Sequence, residues 1–141
     1  MTGKGLILVV EDNEANQMLV RAVLELEGYR VELAGSADEA LEQLRDSPPD
    51  LILMDVQLPG EDGLSLTRRI KADPATCAIP VVALTAHAMT GDRELALNAG
   101  CAGYISKPIN TRTFAGEVRA FLPRSVPDPG PARTDARLSG T

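Results

Sequence analysis

The sequence predicts a single α/β domain: a parallel sheet covered on both faces by helices. Short apolar runs alternate with stretches of helical apolar spacing from Leu6 to Leu122. Three of the five runs are apolar without interruption, the pattern of strands buried on both sides. Strand–helix alternation with short connections implies right-handed crossovers, and therefore parallel strands.

The first strand is read at Leu6 to Val10. The helix after it has its core face assigned to Leu19, Ala22, Val23 and Leu26, and it stops at Gly28. Val20 and Leu24 fall between that face and the charged flank of Glu14, Arg21 and Glu25. They are read as an exposed pair that docks a histidine-bearing helix, with scattered surface apolars as the competing reading. A second strand spans Arg30 to Ala34, followed by a helix with Ser36 as N-cap and Ala37, Ala40, Leu41 and Leu44 on one face. The third strand, Leu51 to Met54, precedes a helix anchored by Leu66 and Ile70. The fourth, Val81 to Leu84, precedes a helix from Met89 to Asn98 that stops at Gly100. The fifth, Gly103 to Ile105, precedes a helix marked by Phe114, Val118, Phe121 and Leu122.

Composition changes after Leu122. Pro123, Pro127, Pro129 and Pro131 follow with scarcely any large apolar side chain. Such a segment buries too little surface to offset its ordering entropy. Residues 1–122 are therefore expected to form the domain and 123–141 a disordered, Pro-rich tail. The spacing Pro127-x-Pro129-x-Pro131 also fits a polyproline recognition peptide.

Charge and composition narrow the partners. With 20 acidic and 14 basic residues, net charge −6 and no Trp, neither nucleic-acid backbone binding nor base stacking is expected. The longest apolar stretch, Leu6 to Val10, is far too short to span a membrane. Glu11 and Asp12 arrive before any secretory h-region develops. Cys77 and Cys101 make neither a disulfide framework nor a metal cluster, so a reducing cytoplasm is the expected setting.

In sheets of this kind ligands bind at the carboxyl ends of the strands. The first strand runs into Glu11-Asp12, the third into Asp55, the fourth into Thr85 and the fifth into Ser106-Lys107-Pro108. If these strands are adjacent, three carboxylates, a hydroxyl and an ammonium meet on one rim. Like charges about 4 Å apart repel by roughly 4 kcal/mol at an effective dielectric of 20, so such a cluster asks for a cation. Oxygen-only donors suit Mg²⁺, with Mn²⁺ as an alternative. A carboxylate beside Mg²⁺ and a lysine is placed to accept a phosphoryl group. Each residue taken alone has a plainer reading: Glu11-Asp12 as a helix cap, Asp55 as the opening of the turn at Leu58-Pro59-Gly60, Lys107 as a surface charge. The joint pattern decides.

The blocks Leu8-Val-Val-Glu-Asp-Asn13, Asp50-Leu-Ile-Leu-Met-Asp-Val-Gln-Leu-Pro-Gly60, Val81-Val-Ala-Leu-Thr-Ala86 and Gly103-Tyr-Ile-Ser-Lys-Pro108 closely resemble the receiver domains of bacterial response regulators. The resemblance covers about residues 5 to 122. It implies a doubly wound five-stranded parallel sheet in the order 2-1-3-4-5 with five helices, the flavodoxin/CheY-like arrangement. It implies Asp55 as phosphoacceptor, Asp12 and Glu11 as Mg²⁺ ligands (Glu11 through water), and a further ligand in the Gln57 backbone carbonyl. Thr85 and Lys107 would bind phosphoryl oxygens, Thr85 and Tyr104 would form the conformational switch, and Lys107–Pro108 would be a cis peptide. Gln57 and His87, each two residues past a key position, would tune dephosphorylation; His87 is read as a partly exposed loop residue. The implied partners are a sensor histidine kinase or histidine phosphotransfer protein, and downstream protein targets. An early strand after the initial Met and the absence of an output region favour a stand-alone regulator; a receiver cut from a hybrid histidine kinase is the alternative. A phosphatase of the haloacid-dehalogenase type would need an acid where Gln57 stands, and no Gly-rich loop follows the first strand to bind a nucleotide.

Overall fold

Alternating apolar runs and amphipathic stretches fold into alternating strands and helices. The computed structural model describes residues 5–58, 62–86, 91 and 93–122. Within them lie β1 (Leu6–Val10), α1 (Glu14–Leu26), β2 (Arg30–Ala34), α2 (Ala37–Asp46), β3 (Leu51–Asp55), α3 (Gly63–Ala72), β4 (Val81–Thr85), α4 (Arg93–Ala99), β5 (Gly103–Ser106) and α5 (Phe114–Phe121). The proposed tail, His87 and the expected start of the fourth helix at Met89 lie outside the described residues.

All strands pair in parallel, in the order β2-β1-β3-β4-β5 expected above. The uninterrupted apolar strands β1, β3 and β4 are buried at every position, whereas β2 begins with an exposed Arg30 at the sheet edge. Pleating sends alternate side chains to opposite faces. Ile7, Val9, Leu51, Leu53, Val82 and Leu84 pack beneath α1 and α5 against Val20, Leu24, Phe114 and Val118. Leu8, Val10, Ile52, Met54, Val81 and Ala83 pack beneath α2, α3 and α4, against side chains such as Ala40, Leu44, Leu66, Ile70 and Ala96. Strands β3, β4 and β5 each run one residue beyond the apolar run, because pairing continues through Asp55 opposite Leu84 and Thr85 opposite Ser106.

Helix starts follow their caps. Asn13, Ser36 and Asp62 each accept a backbone N–H from three residues on, closing the first turns of α1, α2 and α3. At the far end of α1, Gly28 takes φ +99°, a left-handed value that ends the helix as the sequence suggested.

The phase of α1 corrects the sequence reading. Val20 and Leu24 are fully buried against the sheet, while Leu19 is 39% and Leu26 86% exposed. Ala22 is exposed too, and of the expected core face only Val23 packs, partly buried, against the core. The residues assigned to docking are thus core residues. Two apolar rows run side by side along this helix, and a helical wheel does not choose between them. The sheet does, by taking the row at Val20 and Leu24, whose bulk fills the space over β1 and β3.

Candidate functional site

The sheet order puts the carboxyl ends of β1, β3, β4 and β5 side by side. Glu11 and Asp12 follow β1 directly, Asp55 and Thr85 are the last residues of β3 and β4, and Lys107 follows β5. Lys107 N–H donates to the Thr85 carbonyl at 2.8 Å, so the ladder still holds the chain where the ammonium branches off. The peptide after it, Lys107–Pro108, is cis.

Glu11 and Asp55 are buried and Asp12 is exposed. One carboxylate oxygen from each lies within 4.8 Å of the others. Lys107 Nζ stands 3.1 Å from Asp55 Oδ2 and 3.2 Å from Glu11 Oε1. The remaining oxygens are tied to the backbone: Gln57 N–H donates to Asp55 Oδ1 at 2.9 Å, and Asn13 N–H donates to Glu11 Oε2 at 3.1 Å. Gln17 on α1 donates through Nε2 to the Glu11 carbonyl, which holds the end of β1 against the helix.

Three acids against one ammonium leave negative charge in surplus. Burial, followed by the neighbouring Asp55 carboxylate, raises the pKa of Glu11 despite Lys107 and the Asn13 amide. Burial pulls Lys107 downward, but Asp55 and then Glu11 outweigh it and hold the ammonium above the ordinary lysine value. Glu11 Oε1 is buried and close to Lys107, yet has no partner in hydrogen-bond geometry among the described residues. It shares that ammonium with Asp55, so the oxygen keeps lone-pair capacity for a further ligand. Together with the oxygen-only donor set, it fits a hard divalent cation or its water.

The other expected residues fall in two places. Thr85 is buried at the rim and Gln57 is exposed beside Asp55. Tyr104, on β5, is half-buried and packs toward the α2–α4 side, with the Arg93 guanidinium 5.8 Å from its ring centroid. Val20 and Leu24 take no part. Cys77 is exposed and Cys101 buried, both free, and burial raises the Cys101 thiol pKa. Sequence reading missed the supports: Asn13, whose position directly before the helix signals its cap, and Gln17 and Gly63, which carried no local signal.

Comparison with known proteins gives one answer. The family model described as response regulator receiver domain matches residues 7–119. The polar-differentiation response regulator DivK of Brucella ovis is 45% identical over 116 residues, covering 82% of this chain and 94% of that one. The crystal structure of a putative response regulator from Chloroflexus aurantiacus J-10-fl superposes with TM-score 0.80 at 32% identity, covering 84% of this chain and 97% of that one. The receiver domain of the sensor histidine kinase PA1611 from Pseudomonas aeruginosa PAO1, solved with magnesium coordinated in its active-site cleft, superposes with TM-score 0.76 at 39% identity and covers 83% and 96%.

Proposed function

Because the chain belongs to the response regulator receiver domain family, we propose that it takes a phosphoryl group onto Asp55 from a phosphohistidine and signals through the change this causes. One observation carries the reading. The ends of β1 and β3 place Glu11, Asp12 and Asp55 within 4.8 Å of one another, while the end of β5 brings Lys107 Nζ to 3.1 Å from the Asp55 carboxylate.

Glu11, Asp12, Asp55 and the Gln57 backbone carbonyl would hold Mg²⁺, or Mn²⁺ in its place. When bound, a divalent ion offsets the charge of the rim and of phosphate oxygens. The chain's own residues do the rest. A carboxylate oxygen of Asp55 attacks phosphorus, the P–N bond breaks, and its electron pair stays with the imidazole of the donor. Gln57 N–H and the β3 ladder hold Asp55 in place for this attack. Lys107 is poised to exchange its contact with Asp55 for one with the transferring oxygens, and the Thr85 hydroxyl binds another. As Thr85 is drawn inward, Tyr104 turns into the space it leaves, and the surface of α4, β5 and α5 shifts between two populations.

The protein on this reading is a phosphoacceptor rather than an enzyme with its own turnover. Its donor is a histidine kinase or histidine phosphotransfer protein, its targets are proteins, and it works in the cytoplasm. No helix among the described residues is long and apolar enough to cross a membrane. Residues 1–122 form the receiver and 123–141 a separate tail. Incubation with acetyl phosphate and Mg²⁺ tests the assignment: the intact mass should gain one phosphoryl group, and Asp55→Asn should abolish the gain. Labelling that survives Asp55→Asn, or a wild type that never labels, overturns it.

The 39% identity to a receiver of a sensor kinase supports a second reading, a receiver within a longer kinase. An immunoblot of source cells separates the two, since a stand-alone regulator runs near 15.0 kDa and a hybrid kinase far above it.

A further inference from the structure

We propose that Gly63, the first residue of α3, is a positioning residue for phosphoryl transfer: its missing side chain lets the helix start press against the Asp55 backbone and hold the Asp55–Gln57 segment in its working geometry. This rests on the assignment of Asp55 as phosphoacceptor.

A Cβ built on Gly63 would lie 2.0 Å from the Asp55 carbonyl oxygen and 2.9 Å from both the Asp55 carbonyl carbon and Val56 Cα. All three are backbone atoms, so no side chain can swing aside. Gly63 is not among the glycines with positive φ, and its dihedrals are open to any residue. Helix propensity alone would favour alanine here. Space, not conformation, selects glycine.

The contact is fastened on three sides. Gly63 N–H donates to the Val56 carbonyl at 3.0 Å, and Val56 N–H donates to Leu84 on β4 at 3.2 Å. Thr67, fully buried one turn along α3, donates its hydroxyl to the Gly63 carbonyl at 2.8 Å. The Asp55–Val56 peptide is therefore clamped between β4 and the first turn of α3. One residue further on, Gln57 N–H meets Asp55 Oδ1, the bond that leaves Oδ2 facing Lys107. Any side chain at 63 must push this peptide, or the helix, by about an ångström, a displacement that can cost ~10²-fold in a positioned reaction.

Gly103 supplies the comparison. A Cβ there would meet the Phe121 ring at 2.5 Å, a similar clash, but at the start of β5, the end away from the rim, and against a side chain. The test follows acetyl phosphate labelling of full-length wild type, Gly63→Ala and Gly103→Ala at a temperature where circular dichroism shows each folded. In parallel, the Gln57 amide resonance is recorded by ¹H–¹⁵N NMR. Gly63→Ala should label at least ~10-fold more slowly and shift the Gln57 amide, whereas Gly103→Ala should lose stability and keep both near wild type. If Gly63→Ala does not fold, Thr67→Val replaces it; a several-fold slower rate with a shifted Gln57 amide supports the clamp. A folded Gly63→Ala, or in its place Thr67→Val, that labels at the wild-type rate with Gln57 unmoved refutes it. So does a Gly103→Ala rate as slow as that of Gly63→Ala. A wild type that does not label at all condemns the phosphoacceptor assignment instead.

Discussion

Replacing Glu11 by glutamine changes the charge of the rim and little of its shape. Glu11 is 1% exposed. It faces Lys107 Nζ at 3.2 Å and shares a 4.8 Å cluster with Asp12 and Asp55. At an effective dielectric of ~20 the Lys107 contact is worth about 5 kcal/mol, and each carboxylate neighbour at the outer distance costs about 3.5 kcal/mol. The two repulsions exceed the one attraction, burial adds to them, and screening at exposed Asp12 takes some away. The variant should therefore be more stable than wild type in EDTA at neutral pH, by about 1 kcal/mol or roughly 3–5 °C in Tm. With Mg²⁺ the order of gains reverses. Saturation at about 100 times Kd stabilises wild type by about 2.7 kcal/mol, while the variant, one carboxylate poorer, should gain less than half as much. The pH dependence has a definite sign. Unfolded Glu11 titrates near 4.5 and folded Glu11 higher. Between those values the folded state holds more protons, and the stability of metal-free wild type falls as pH rises. Glu11→Gln removes this component of the slope. Thermal melts followed by circular dichroism, across pH and with EDTA or excess MgCl₂, read all three effects. A variant less stable than wild type in EDTA, together with an unchanged Mg²⁺ shift, would refute the charge balance drawn here.

Three further outcomes are expected. Leu24→Ala should cost about 2–5 kcal/mol in urea unfolding, and Leu26→Ala, on the outward face, within about 0.5 kcal/mol; similar costs would mean that α1 is rotated from the phase described. Lys107→Ala should slow acetyl phosphate labelling of Asp55 by ~10²-fold or more while the protein stays folded, since the ammonium is the one cation paired with the acceptor among the described residues. A labelling rate within a factor of about three would remove Lys107 from the reaction. Truncation after Leu122 should leave both Tm and labelling unchanged, and a large fall in Tm would show that the tail packs on the domain.

What was legible along the chain were features set by local patterns. Short apolar runs announce the strands, and their endings in Glu11, Asp55, Thr85 and Lys107 announce a shared rim once the strands are adjacent. Ser36 and Gly28 mark helix ends through chemistry confined to one turn. The phase of α1 was not legible, because Leu19–Leu26 and Val20–Leu24 both satisfy helical spacing and only the sheet's shape prefers the second. Gly63 was silent for the same reason: its partner, the Asp55 backbone, lies eight residues away across a loop. Nor did the sequence mark Arg93 as the cation above Tyr104, a contact made between α4 and β5. Information carried by periodicity or capping survives in one dimension, and information carried by contact does not.

The single ammonium among three acids has a kinetic corollary. A phosphate donor bears the same sign as the pocket it must enter, so the bare cleft turns it away, and inorganic phosphate with it. A divalent ion held by Glu11, Asp12 and Asp55 would offset that repulsion. On the proposed function, a donor would thus meet less repulsion in a cation-loaded cleft than in the bare one.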